Sequence, residues 1–327
     1  MGSSTAGMSG ENQRGFVLIT GTSSGIGRAC AVRLAREGFS VLATVRTDAD
    51  AHSVEAAGSD TPLGIRAVQL DVADANSIQK AAARVGELVG NDGLYGLVNN
   101  AGICVVGPAE CISLDDWRYQ FEVNFFGVIA LTQAMLPLLR LHNAADRPKA
   151  ARIVNISSIT GEIATPLFGA YSASKFALRA LSDSLRLELQ GHGIHVSAIV
   201  PGTIQSEIWR KEKEGIEAIR ADSPARRLYG RLIDNVSDYV FKCAGKAIPA
   251  DRVAEVVSRC LTSRRPRPRY LVGWEAGIGS RARKLLPDRL FDYLLGRTMG
   301  VPGPSPMPAE TEEVADLTTV AGAPDRD

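Results

Sequence analysis

Phe16-Val17-Leu18-Ile19-Thr20-Gly21-Thr22-Ser23-Ser24-Gly25-Ile26-Gly27-Arg28-Ala29-Cys30-Ala31-Val32-Arg33-Leu34-Ala35-Arg36 decides the architecture of this chain. Its first residues are a short apolar run of strand length, and those after Gly25 follow a helical apolar period. A glycine turn joins them. Strand, turn and helix N-terminus in that order build an anion site, because unpaired backbone N–H groups and the positive end of the helix dipole converge on one spot. Gly21, Gly25 and Gly27 permit the tight turn and the close backbone approach that a pyrophosphate requires. The spacing Gly-x-x-x-Gly-x-Gly is neither the ordinary Gly-x-Gly-x-x-Gly fingerprint nor a P-loop, since no Gly-Lys-Ser/Thr follows. In its strand-to-helix context it points to a dinucleotide.

Outward from this unit the pattern repeats. Ser40 to Arg46 reads as a second strand, and it ends where an acidic side chain would hold the ribose 2′-hydroxyl of NAD. This chain offers Val45 and then Arg46, which suits a 2′-phosphate. Charge-assisted hydrogen bonds are worth roughly 1.5–3 kcal/mol each, so one or two would favour NADP(H) over NAD(H) by about tenfold or more. Ile65 to Leu70 reads as a third strand running into Asp71 and Val72, Asp74 to Val89 as a helix, and Gly96 to Asn99 as a fourth strand. Three βα units in line argue for a parallel sheet with right-handed crossovers.

Arg152 to Ile156 is a further buried strand, and it brings Ser157 and Ser158 to a loop edge where a hydroxyl meets a substrate oxygen. Tyr171 opens a helix with Leu178, Leu181, Leu185 and Leu189 at helical spacing. Tyr171 and Lys175 stand four apart and share a face. A neighbouring ammonium favours the phenolate and makes a proton donor and acceptor of a side chain that normally titrates near pH 10. Asn124 lies among Phe121, Val123, Phe125 and Phe126, where a buried amide needs partners. Either it bonds a kinked backbone or it helps to hold water for proton traffic.

The 327 residues carry a formal net charge of +1 and 45% apolar residues, which describes a globular chain with a substantial core and no field that would recruit nucleic acid. Cys30, Cys104, Cys111, Cys243 and Cys260 are scattered and lack metal spacing, so they read as reduced thiols of a cytoplasmic protein. No metal is expected. Neither a signal h-region nor a run of eighteen apolar residues is found.

Taken together, Thr20-Gly-x-x-x-Gly25-x-Gly27, Asn99-Asn-Ala-Gly102, Asn124, Ser158, Tyr171-x-x-x-Lys175 and Pro201-Gly202 resemble the single-domain branch of the short-chain dehydrogenase/reductase superfamily. The resemblance implies a doubly wound seven-stranded parallel sheet of Rossmann type and a nicotinamide cofactor. It implies Tyr171 as general acid/base, Lys175 as the holder of the nicotinamide ribose, and Asn124 as the anchor of a water linking Lys175 to solvent. Ser158 would orient the substrate oxygen; it is chosen over Ser157 because the family's serine stands thirteen positions before its tyrosine. Cofactor contacts would come from Gly21, Ser23, Ser24, Gly25, Ile26 and Gly27, from Arg46, and from Asp71 and Val72 at the adenine. Asn99, Ala101 and Gly102 would serve the cofactor and the central strands, and Pro201, Gly202, Ile204 and Ser206 would close the nicotinamide side. Ser206 stands where similar proteins usually carry threonine. The motif order looks most like the 17β-hydroxysteroid and retinol dehydrogenase neighbourhood, and the family default is a homodimer or homotetramer through the helices that hold Asn124 and Tyr171.

The domain runs from 15 to 275, after a disordered segment 1–14, and includes a substrate lid around 203–250. Val105, Val106, Ile163, Leu167 and Phe168 are expected on the opposite cleft wall. The cleft therefore favours a bulky hydrophobic carbonyl or alcohol over a sugar. Residues 276–300 form an amphipathic helical extension interrupted by Pro287. Its basic part, 280–297, is expected to pack on the lid or a second subunit, with weak peripheral membrane contact as the other reading. Residues 301–327 read as a disordered tail.

Overall fold

A computed structural model describes residues 14–144, 150–205, 215–216, 219, 221 and 223–303. Seven strands are found: β1 (Phe16–Ile19), β2 (Ser40–Val45), β3 (Ile65–Gln69), β4 (Gly96–Asn99), β5 (Arg152–Ile156), β6 (His195–Pro201) and β7 (Arg269–Val272). All pair in parallel, in the order β3-β2-β1-β4-β5-β6-β7. The strand order reverses between β1 and β4. The carboxyl ends of these two strands therefore flank the crevice where open α/β sheets bind ligands.

Helices cover both faces, which is why the central strands are almost continuously apolar. Side chains alternate across the sheet: Val17, Ile19, Val41 and Ala43 join one core with α1 (Gly25–Arg36) and α8 (Ala250–Thr262). Leu18, Leu42, Leu97 and Ile153 join the other with α3 (Ala75–Val89) and α5 (Gly127–Ala144). Between strands β2 and β3 lies α2 (Asp48–Ala56), capped by Thr47, whose hydroxyl accepts from the Asp50 N–H.

The apolar stretch around Asn124 is a continuous helix, α4 (Leu114–Phe121), a π-helical turn (Glu122–Phe126) and α5. By length and composition Leu114–Ala144 is apolar enough to cross a bilayer, yet Val123, Val128, Leu131, Met135 and Leu139 are buried against the sheet. After β5 comes α6 (Gly169–Glu188), which carries Tyr171 and Lys175.

The expected lid region contains α7 (Pro224–Ala244), with Ser223 as its N-cap. Ile216, Ile219, Ala225, Ile233, Val236 and Val240 pack there on Val106, Leu167 and Phe168. The expected amphipathic extension is two helices, α9 (Trp274–Leu285) and α10 (Asp288–Thr298). Pro287 stands at the N-cap of α10, where its missing N–H costs nothing.

Candidate functional site

One cavity of about 710 Å³ runs along the carboxyl ends of the strands, from the glycine turn to the C-terminal helices. Gly21, Ser23, Ser24, Gly25 and Ile26 form its anion end. Gly21 has φ +66° and Gly25 φ +53°, the left-handed conformations that glycine adopts without penalty. Threonines fasten the turn from both sides. The Thr44 carbonyl of β2 accepts from Thr22 N at 3.0 Å and Thr22 Oγ1 at 2.9 Å. Thr20 Oγ1 accepts from Asn100 N at 2.8 Å and Ala101 N at 2.9 Å. No side chain caps α1, and its first turn holds no acid, so its N–H groups and dipole face the cavity uncompensated. These residues fit a dinucleotide pyrophosphate.

Arg46 follows β2 at the cavity lip and forms no ion pair among the described residues. Asp50, from the first turn of α2, lines the same lip. Asp71 and Val72 line the cavity beyond β3, where Asp71 Oδ1 accepts from Ala73 N at 2.9 Å and the Asp71 N–H donates to Ser77 Oγ at 2.9 Å. A methyl group on Gly127 would lie 2.3 Å from the Val72 carbonyl oxygen, so glycine there lets α5 abut this loop.

The other end holds the reactive side chains. Tyr171 sits in the first turn of α6, 8% exposed, and that turn has no acidic residue, so the dipole favours negative charge at the phenol. Lys175 Nζ lies 5.7 Å from the Tyr171 ring centroid and donates to the Ile156 carbonyl at 3.0 Å. Burial pushes the Lys175 ammonium down to about 8, against a smaller opposing effect of Cys104. A methyl on Gly102 would come within 3.5 Å of Lys175 Nζ and 3.2 Å of Asn124 Oδ1. The Ala101-Gly102 turn thus lies directly against the lysine.

The two serines divide their labour. Ser157, 5% exposed, reaches the Lys175 carbonyl at 3.5 Å and helps to seat α6. Ser158 lines the cavity, where its oxygen accepts from Thr160 N at 3.2 Å and Thr160 Oγ1 at 2.9 Å. Those contacts fix its rotamer. Its own proton makes no bond among the described residues, so it can be given to a substrate oxygen.

A family model described as short chain dehydrogenase matches residues 15–217. The bovine 17-beta-hydroxysteroid dehydrogenase type 6 is 38% identical over 298 residues, covering 88% of this chain and 89% of the relative. The NADPH-dependent 3-dehydrocapnine reductase of Ornithobacterium rhinotracheale is 32% identical over 279 residues, 85% of this chain and 95% of the relative. A solved short chain dehydrogenase/reductase from Burkholderia phymatum in complex with NAD superposes with TM-score 0.68 at 25% identity, covering 88% of this chain and 96% of that one. The chain belongs to the short-chain dehydrogenase family. It is an NAD(P)(H)-dependent oxidoreductase.

When bound, the dinucleotide gives or takes the hydride, and the protein supplies orientation and a proton. Tyr171, Ser158 and Lys175 of this short-chain dehydrogenase all line the one cavity.

Three expected site residues do not line the cavity. Asn99 is 2% exposed and points into the sheet layer, donating to Asn155 Oδ1 at 2.8 Å and Thr132 Oγ1 at 3.2 Å. The adjacent Asn100 takes its expected place: it lines the cavity and donates to the carbonyls of Thr20 at 2.8 Å and Gly21 at 3.0 Å. Gly27 is buried behind the turn, where a methyl group would stand 2.0 Å from the Gly21 oxygen. Asn124 is fully buried, and its amide is spent on protein: Oδ1 accepts from Ile103 N at 2.9 Å, and Nδ2 donates to Ile103 O at 3.0 Å and Ser174 Oγ at 3.1 Å. These bonds tie the Ile103 loop to the π turn. Ala101, Pro201, Gly202 and Ile204 line the cavity, and Ser206 falls outside the described residues.

Three residues that brace the cavity, Gln120, Glu275 and Glu162, were not singled out in the sequence. Gln120 holds the loop that Asn124 holds, accepting from Val105 N at 2.7 Å and donating to Ile103 O at 2.9 Å. Its signal was a second amide four residues before Asn124 in an apolar helix. Glu275, from α9, accepts from Thr203 N at 3.1 Å. Glu162 is buried and gathers Arg269 at 3.3 Å, Arg179 at 3.9 Å and the Ser280 hydroxyl. It ties the turn after Ser158 to α6, β7 and α9. Tyr239, Val240 and Cys243 of α7 line the cavity, as do Trp274, Ile278, Leu286 and Leu294 of the C-terminal region. Val105, Ile163 and Phe168 line it too, whereas Val106 and Leu167 pack beneath α7.

Proposed function

We propose that this chain transfers a hydride between NADP(H) and the carbonyl or secondary alcohol carbon of a bulky apolar molecule, of steroid, retinoid or lipid type. Tyr171 moves the proton, Ser158 orients the oxygen, and Lys175 holds the nicotinamide ribose and favours the phenolate. The observation that carries the substrate class is the wall that shares the cavity with Tyr171 and Ser158: Ile103, Val105, Ile163, Phe168, Ile278 and Leu286. The bovine relative's name, a hydroxysteroid dehydrogenase, supports the same class. A panel of steroid, retinoid and aliphatic ketones is expected to contain substrates, and none above background would overturn the proposal.

Preference for NADP(H) rests on Arg46, and the Ornithobacterium relative is named for NADPH. A second reading, NAD(H), has Asp50 in its favour, since a carboxylate at that lip suits ribose hydroxyls. Fluorescence titration separates them. NADPH is expected to bind clearly tighter than NADH, and Arg46→Ala is expected to weaken NADPH about tenfold or more while leaving NADH within about twofold. Equal affinities in the native protein would overturn the preference.

α7 serves as the lid over the substrate end. The five cysteines are free, in keeping with a reducing compartment such as the cytoplasm. Leu114, Phe126 and Leu187, between 51% and 69% exposed, lie on α4, the π turn and α6, and supply the face for a homodimer or homotetramer.

A further inference from the structure

Helices α9 and α10 carry a surface that the reaction does not use. Among the described residues sixteen large apolar side chains stand exposed, and six of them, Trp274, Ile278, Leu285, Leu290, Tyr293 and Leu294, fall on these two helices. Leu285 is 80% exposed, Trp274 63%, Tyr293 60% and Ile278 59%. A cluster of that density marks an interaction site, whereas singly scattered apolar residues do not. Three of the six, Trp274, Ile278 and Leu294, also line the cavity, so the apolar surface continues into the cleft.

The polar groups of the two helices are mainly basic. Arg281, Lys284, Arg289 and Arg297 are exposed. Of the acids, Asp288 is held by Arg283 at 2.6 Å, while Arg283 lies 5.3 Å from the Phe291 ring centroid and so joins α9 to α10. Asp292 and Glu275 remain, and Glu275 faces the Thr203 N–H. Exposed apolar residues among unneutralised cations complement an anionic lipid surface. The exposed apolar residues Leu114, Phe126 and Leu187, to which the proposed assembly assigns a second copy, lie on other elements: α4, the π turn and α6.

We propose that α9 and α10 seat the mouth of the cleft on an anionic bilayer surface, from which apolar substrate passes along Trp274, Ile278 and Leu294 into the cavity. The docking stands independently of the enzymatic reading. Only the delivery of substrate rests on it.

Flotation of the full-length protein with phosphatidylcholine vesicles, with or without phosphatidylserine, and with neither cofactor nor substrate present, tests the docking. Binding is expected to the phosphatidylserine vesicles, and to weaken as salt is raised. Each basic residue at such a surface multiplies the partition coefficient by roughly fivefold, so Arg281→Gln with Lys284→Gln is expected to lower it roughly 25-fold. Leu285→Gln is expected to lower it by roughly tenfold. None of these three residues lines the cavity, so turnover of a small water-soluble ketone is expected to stay unchanged in both variants. Absence of flotation with phosphatidylserine vesicles would overturn the docking, as would variants that float like the native protein. So would a dimer, seen by light scattering, that Leu285→Gln dissociates, since the occupant would then be a second copy. Loss of ketone turnover in the native protein would count against the enzymatic reading and leave the docking intact.

Discussion

Lys175 is a base buried to 4% exposure, and its protonation has a thermodynamic signature. Its pKa is lowered from 10.5 to about 8, so between these values the unfolded chain binds a proton that the folded chain does not. Stability from this group therefore rises with pH across that window, and its cost is fully present below about pH 8. Relative to Lys175→Met, the native protein is expected to gain up to roughly 3 kcal/mol on going from about pH 8 to about pH 10.5. Urea unfolding midpoints of both proteins at the two ends of the window check this, and parallel changes would contradict it. For Tyr171→Phe, turnover is expected to fall by roughly 10²–10⁴-fold with cofactor affinity kept within about twofold, read by steady-state kinetics and fluorescence titration. Tyr171 and Lys175 were legible because two residues four apart on a helix share a face wherever that helix packs. Asn99, expected to serve the cofactor and the central strands, bonds the neighbouring strand: β4 ends at Asn99, so this residue still alternates into the sheet and Asn100 is the first free to turn toward the glycine loop. A one-residue shift of a strand end exchanges the faces.

Among the elements, the π turn shows how the chain positions its loops. Gln120 and Asn124 project from one side of the broken helix and satisfy the backbone of Ile103 and Val105, holding that loop against Lys175. Asn124→Ala leaves the Ile103 N–H without its acceptor, whereas the Ile103 carbonyl keeps Gln120. The expected loss is about 1–3 kcal/mol in unfolding free energy, read by chemical denaturation. Glu162 does comparable work at the C-terminal edge. Its carboxylate is almost inaccessible, while Arg269 and Arg179 keep 23% and 30% of their side chains exposed. Glu162→Gln removes the carboxylate from Arg179 and Arg269, of which Arg269 keeps Asp183 at 3.0 Å, and a loss of about 1–3 kcal/mol is expected by chemical denaturation. No pattern around Glu162 announced this, since its partners come from three distant elements.

At the scale of the whole molecule, the reversal of strand order between β1 and β4 places one cavity where glycine turn, Asn100 and α6 converge. The exposed apolar residues Leu114, Phe126 and Leu187 of α4, the π turn and α6 are expected, on the proposed assembly, to be covered by a second copy. Phe126→Asp with Leu187→Asp is expected to yield a monomer by light scattering, and an unchanged oligomer would rule this face out. The C-terminal helices, expected to pack on the lid or a second subunit, form a wall of the cavity through Ile278, Leu286 and Leu294. Their amphipathic period was visible in the sequence. Their partner was not, because periodicity reports that a face is apolar and says nothing about what it meets.

The sequence by itself determined the parallel sheet, the dinucleotide turn and the Tyr171–Lys175 pair, since each depends on local spacing: alternation in a strand, glycine in a turn, one helical turn between two side chains. Tertiary structure alone decided which of two neighbouring asparagines faces the cleft, where the amide of Asn124 is spent, and that residues 274–299 complete the cavity. Those outcomes depend on contacts between segments far apart in the chain, such as Glu162 with Ser280 or Asn124 with Ile103. Contacts of that kind leave no local period to read.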